Sequence, residues 1–175
     1  MKKLLFAITL IFITTLTTLP AKEVESPTFT LTTTDNKTIN ITETKKGLEL
    51  HEFKGKAVLI ALFGHRCPPC IKEIPEFITL TNNHKDDLAI VAIEAQNYPS
   101  DAVKQFKAEH KMNYNVVAGI NHGDFISYLA RRAGYSRGIP LPLLISIDKK
   151  GEVQGVQAGQ LRQDELEFLV NDLNE

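Results

Sequence analysis

Seven consecutive apolar residues, Ala57–Phe63, lead after three further residues into the motif Cys67-Pro68-Pro69-Cys70. An apolar run of that length with no polar alternation suits a strand buried on both faces, which places it in the middle of a covered sheet. Beyond the motif, Ile71, Ile74, Phe77 and Ile78 recur at helical spacing, so a helix begins at the cysteines. Pro68 and Pro69 are tolerated there because the first helical turn has no internal partner for its N–H groups. Pro75 lies deeper in the same pattern and predicts a kink. A buried strand feeding directly into a helix N-terminus restricts the chain to layered α/β architectures.

The remaining sequence extends this pattern. Residues 28–41 alternate apolar and polar residues around Asp35-Asn36, the pattern of a hairpin with a turn-forming pair at its centre. Residues 43–55 are polar, with two glycines, and read as a connection. A second apolar strand is expected over 88–95 and a helix over 100–110, capped by Ser100 with Val103 and Phe106 inward. Val116 and Val117 suggest a short extended piece. A helix follows over 124–133, with Phe125, Tyr128 and Leu129 on one side and Gly134 as its stop. Leu143–Ile147 reads as a third buried strand, and a tight turn at 148–151 leads to a fourth, Val153–Ala158. In the last helix, Gln163–Leu173, residues Leu166, Leu169, Val170 and Leu173 share one face. The order is ββ, βαβα, α, ββα, which calls for one domain with a mixed central sheet and helices on both of its faces. No internal repeat, linker or second domain is visible.

The N-terminus differs in kind. Lys2 and Lys3 precede an uncharged stretch over residues 4–19, then Pro20 and Ala21. This is the pattern of a secretory signal over residues 1–21, or of an uncleaved anchor, followed by the folded domain over 22–175. The expected location is the periplasm or the outer face of the cytoplasmic membrane. The formal net charge of −1 provides no electrostatic footprint for nucleic acid. Hydrophobic residues make up 43% of the chain, enough to bury a core without metal or disulfide staples. The two cysteines both lie in one motif. A structural disulfide framework needs cysteines distant in sequence, so this pair reads as chemistry.

The chemistry follows from position. The thiolate is the reactive form of cysteine, and unpaired N–H groups with the positive dipole end of a helix favour an anion. Cys67 stands at that helix start, and Cys70 lies one turn deeper within disulfide reach. Cys67 is therefore expected to attack a substrate disulfide, and Cys70 to resolve the mixed disulfide. A chance pair or half of a zinc site are the competing readings. Zinc requires further cysteine or histidine ligands, and although His65 is close, no second CxxC exists.

The stretch Phe63-Gly64-His65-Arg66-Cys67-Pro68-Pro69-Cys70-Ile71-Lys72-Glu73-Ile74-Pro75-Glu76-Phe77 resembles the active site of the thioredoxin superfamily. It is most similar to the TlpA/ResA-like branch of exported oxidoreductases. Phe29-Thr30-Leu31, Gly55-Lys56, the Glu73 and Pro75 that follow the motif, a proline opening the third strand and the later strand-turn-strand carry the likeness, over roughly residues 27–173. The resemblance implies a thioredoxin-like fold with an N-terminal β-hairpin. It also implies a cis proline facing the cysteines: counting back from Gly151 selects Pro142 over Pro140. Leu141 would then offer backbone groups to a substrate strand. Glu73 reads either as a solvated surface acid or as the family's partly buried acid that carries a proton during exchange.

The chain departs from the family at His65 and Arg66, where aromatic or small residues are usual. Arg66 either supports the Cys67 thiolate or meets an acidic partner; alternatively, both residues are merely exposed. Residues 43–54 are longer than the family's connection and form either a rim beside the site or an ordinary loop. The resemblance implies a reductant of envelope proteins, such as apocytochrome c before haem attachment. It would be kept reduced by a membrane thiol electron donor and would need no cofactor beyond its own disulfide. A disulfide-forming oxidant is the first rival, and a Cu(I)-binding thiol metallochaperone the second. A peroxide-reducing enzyme is weaker still. The oligomeric state is not legible.

Overall fold

A computed structural model describes residues 26–175, so the leader expected over 1–21 lies outside the described residues. These residues form eight strands and four α-helices. The central sheet contains β4 (Ala57–Phe63), β5 (Leu88–Glu94), β6 (Asn115–Ala118), β7 (Leu143–Ile147) and β8 (Val153–Ala158), in the order β6-β5-β4-β7-β8. Strands β4, β5 and β6 are mutually parallel, whereas β7 runs antiparallel to β4 and β8 antiparallel to β7, so the sheet is mixed as expected. Every residue of β4, β5 and β7 is buried. Their continuous apolar runs are therefore those of strands covered on both faces.

Helix α1 (Pro68–Asn83), α2 (Ser100–Glu109) and α4 (Gln163–Leu173) contribute to one face, where Phe77, Leu80, Val103, Leu166 and Val170 meet Leu59 and Ile90. Helix α3 (Gly123–Arg132) lies on the other face, bringing Phe125 and Leu129 against Ile60, Val91 and Ile145. Helix α1 continues through Pro75. The N-terminal cap of α2 is Pro99 rather than Ser100, and no side chain closes that end. Instead, the Ser100 hydroxyl accepts a hydrogen bond from the Asn121 amide at 3.1 Å.

The N-terminal hairpin forms as expected from β1 (Thr28–Thr32) and β2 (Thr38–Glu43), with Asn36 at φ 60° in the turn. It does not join the central sheet. A third short strand, β3 (Leu48–Leu50), pairs antiparallel with β2 and completes a separate three-stranded sheet. The stretch read as a connection thus contains a strand, whose Leu48 and Leu50 enter the same core as Leu31, Ile39 and Ile41. This small sheet touches both edges of the large one, through a Thr33–Val117 bridge at β6 and a Gly47–Glu152 bridge beside β8. Gly47 is required at the second contact, because a Cβ there would meet the Gly151 carbonyl oxygen at 2.2 Å. Residues 43–54 therefore dock on the β7–β8 turn, at the end of β7 remote from Pro142, and do not rim the cysteines.

Candidate active site

The edge of the site is set where β4 ends. The Phe63 carbonyl accepts from Ala95 N–H at 2.8 Å, and the chain then turns through Gly64, His65 and Arg66 into α1. Cys67 is the N-cap of that helix. Its sulfur accepts from the Cys70 N–H at 3.4 Å, so an otherwise unpaired donor of the first turn points at the expected nucleophile. Cys67 and Cys70 are joined by a disulfide, with 7% and 3% of their surfaces exposed. In the reduced protein, the same N–H and the helix dipole favour the Cys67 thiolate.

Glu73 lies behind the pair, on the buried side of α1. It is 3% exposed, which removes the solvated-acid reading. Its single hydrogen-bond donor among the described residues is the Leu161 N–H, at 2.8 Å from Oε1. Desolvation raises its pKa to about 7, partly opposed by the Leu161 N–H and assisted by the nearby charge of Glu76. A carboxyl poised there can hold or release a proton at neutral pH. Glu73 and Cys70 share the lining of a small cavity, about 10 Å³, with Phe63, Met112, Tyr114 and Pro142. The Tyr114 hydroxyl is buried without a partner among the described residues, and burial, together with the Glu73 charge, pushes its pKa above the ordinary phenol range.

The Leu141–Pro142 peptide bond is cis, and Pro142 is buried against that cavity. Leu141 is half-buried, and neither its N–H nor its carbonyl joins a hydrogen bond among the described residues. An extended segment with unpaired backbone groups beside a disulfide can accept a peptide strand. Arg66 is exposed, and its guanidinium enters no ion pair among the described residues. Its backbone N–H donates to Gln96 Oε1 at 3.0 Å.

The residue that sequence reasoning missed is Glu94, the last of β5 and completely buried. Its Oε1 lies 2.8 Å from His65 Nδ1. It also accepts from the backbone N–H groups of His65 at 3.4 Å, Gln96 at 3.1 Å and Tyr98 at 2.9 Å. His65 is not an exposed, tolerated residue: its ring stacks on Tyr98 with centroids 3.8 Å apart, and its side chain is 12% exposed. The available signal was an acid closing an apolar strand whose last residue pairs with Phe63, immediately before the motif.

A thioredoxin-like sheet with a Cys-x-x-Cys disulfide at a helix N-terminus defines a class, the thiol–disulfide oxidoreductases. The chain matches the Redoxin family over residues 21–173 and belongs to it. It is similar to the thiol-disulfide oxidoreductase ResA of Bacillus thuringiensis, 32% identical over 147 residues, covering 83% of this chain and 75% of the relative. The ResA of Halalkalibacterium halodurans is 30% identical over 125 residues, covering 70% of this chain and 65% of that protein. Among solved structures, a thiol:disulfide interchange protein of the thioredoxin family from Chlorobium tepidum superposes with a TM-score of 0.64 at 23% identity. It covers 90% of this chain and all of its own.

Proposed function

We propose that this protein is an exported reductant that reduces disulfides in envelope proteins, with apocytochrome c before haem attachment as a representative substrate. The observation that carries the reading is the Cys67 sulfur at the cap of α1, receiving the Cys70 N–H, with a proton-carrying Glu73 behind it. The similarity to proteins named thiol-disulfide oxidoreductase ResA supports thiol–disulfide exchange, and the reducing direction is what the resemblance of the motif implies. The reduced protein begins with Cys67 as thiolate. Its sulfur attacks one sulfur of the substrate disulfide; that S–S bond breaks, a mixed disulfide forms, and the departing substrate thiolate takes a proton from water. The Cys70 thiol then loses its proton, for which Glu73 in its carboxylate form is the nearby acceptor. The Cys70 sulfur attacks Cys67, the mixed disulfide breaks and the second substrate thiolate leaves. Two electrons have passed to the substrate, and the Cys67–Cys70 disulfide remains.

Leu141 and Pro142 are the proposed docking segment, in which a substrate strand pairs with the open backbone of Leu141. Arg66, exposed beside Cys67, would face the incoming chain. No cofactor is required, because the reduced Cys67–Cys70 dithiol carries both electrons. A membrane-bound dithiol donor would return it to the reduced form, as an oxidising compartment demands. The deciding experiment is equilibration of residues 22–175 with dithiothreitol or glutathione buffers. A potential near or below thioredoxin's roughly −270 mV supports the reductant. A value near the roughly −120 mV of strong oxidants makes disulfide formation the function instead.

A further inference from the structure

The turn preceding Cys67 is fastened by a carboxylate that the exchange chemistry above does not use. Glu94 is fully buried at the end of β5, and its four donors come from two different loops. His65, which supplies the ring Nδ1 at 2.8 Å and a backbone N–H at 3.4 Å, belongs to the β4–α1 turn. Gln96 and Tyr98 belong to the β5–α2 loop. Two further contacts join the same loops: Tyr98 stacks on the His65 ring, and Gln96 Oε1 accepts from Arg66 N–H at 3.0 Å. The backbone also crowds this point. A Cβ on Gly119 would approach the Glu94 carbonyl oxygen to 2.1 Å, so the strand end is gripped from behind as well.

Position makes this clasp relevant to reactivity. His65 is two residues before Cys67, a chain distance of at most about 7 Å. The turn that Glu94 holds ends at Cys67, so the buried carboxylate acts on the Cys67 thiolate both through the placement of residues 64–66 and through a medium that screens far less than water. Its field opposes the thiolate, whereas the ring donor of His65 and the three backbone N–H groups offset it. We infer that Glu94 and His65 form a positioning pair that holds the 64–66 turn and sets the acidity, and with it the redox equilibrium, of Cys67. The inference rests on Cys67 being the attacking cysteine, as proposed above.

Two substitutions with opposite consequences test it. Glu94→Gln keeps one oxygen for the His65 and Gln96 N–H groups that meet Oε1, sets an amide NH2 against the Tyr98 N–H that meets Oε2, and removes the negative charge. The Cys67 acidity constant should rise by about threefold to tenfold. His65→Ala removes the ring donor while the carboxylate remains, so the constant should fall by a similar factor. The readout is thiolate absorbance near 240 nm against pH in the reduced protein, paired with the glutathione exchange constant, which should favour the reduced form in Glu94→Gln and the disulfide in His65→Ala. Melting temperature is followed in parallel, and His65→Asn, which restores a side-chain donor, should recover part of the His65→Ala change. Shifts of both constants in one direction, or no shift with the fold intact, overturn the inference. If one of the two variants does not fold, the other decides alone: a shift in its stated direction supports the inference, and an acidity within twofold of wild type overturns it. If the wild-type protein fails to exchange with glutathione at all, the proposed function falls instead, and the two failures are distinct.

Discussion

Two buried glutamates flank the disulfide, and their surroundings differ. Glu73, on the helix side, has a single hydrogen-bond donor among the described residues and a pKa raised to about 7 by desolvation. Glu94, on the strand side, has four donors, one of them an imidazole. Burial is nearly the same, at 3% and 0% exposed. Burial alone therefore does not decide what an acid does; the number of donors aimed at it does. A carboxyl short of donors can exchange a proton, whereas one surrounded by them holds the backbone in place.

The contrast can be broken at several points. The largest effect sets the scale: Cys67→Ser should lower disulfide reduction by about a thousandfold or more. Cys70→Ser should do the same but accumulate a mixed disulfide on Cys67, visible by mass spectrometry of the intact adduct. Next is Glu94→Ala, which takes the acceptor from three part-buried N–H groups and should cost about 3 kcal/mol in urea unfolding. A cost below about 1 kcal/mol would remove the holding role assigned to this acid.

Glu73→Gln should act in the opposite sense and only at higher pH. Because its folded pKa is raised from 4.5 to about 7, the native state keeps a proton that the unfolded chain releases. Stability associated with the protonated form is complete below about pH 4.5 and is lost as pH rises to about 7. The amide should therefore stabilise the protein by about 2–3 kcal/mol at pH 8 and change little at pH 4. The pH profile of turnover should also lose its inflection near 7. Equal effects at both pH values would place Glu73 with Glu94 and dissolve the contrast. The smallest effect is the control, Phe168→Ser: at 75% exposure it should shift stability by less than about 0.5 kcal/mol.

Much of this arrangement was legible because it is local. Ala57–Phe63 is apolar throughout, and a strand so composed has one place in a layered fold. Cys67 and Cys70 declared themselves by spacing, and the face of Leu166, Val170 and Leu173 by periodicity. What escaped is non-local. Leu48-Glu49-Leu50 is too short to assert itself as a strand and exists because β2 supplies a partner. The hydrogen-bond donor that Glu73 meets, the Leu161 N–H, is 88 residues away. Glu94 resembled the polar end of an apolar run, and only the β4–β5 register brings it beside the turn that carries His65. Ser100 had the right chemistry for a cap, yet Pro99 closes the helix and the hydroxyl serves Asn121.

The small three-stranded sheet bears on how such a molecule handles unfolded clients. Sheet margins with unpaired amides recruit stray extended segments and lead to aggregation. Here β6 has its margin occupied, as Thr34 N–H donates to the Val116 carbonyl at 2.8 Å beside the Thr33–Val117 bridge. At the other margin, Val153 N–H donates to the Lys46 carbonyl at 3.1 Å, closing the start of β8. With β6 and the start of β8 occupied, the open backbone at Leu141, the proposed docking segment, would have less competition for an extended client. On the proposed function, the strap would act as a filter against unproductive capture, leaving strand pairing to the segment beside the sulfurs.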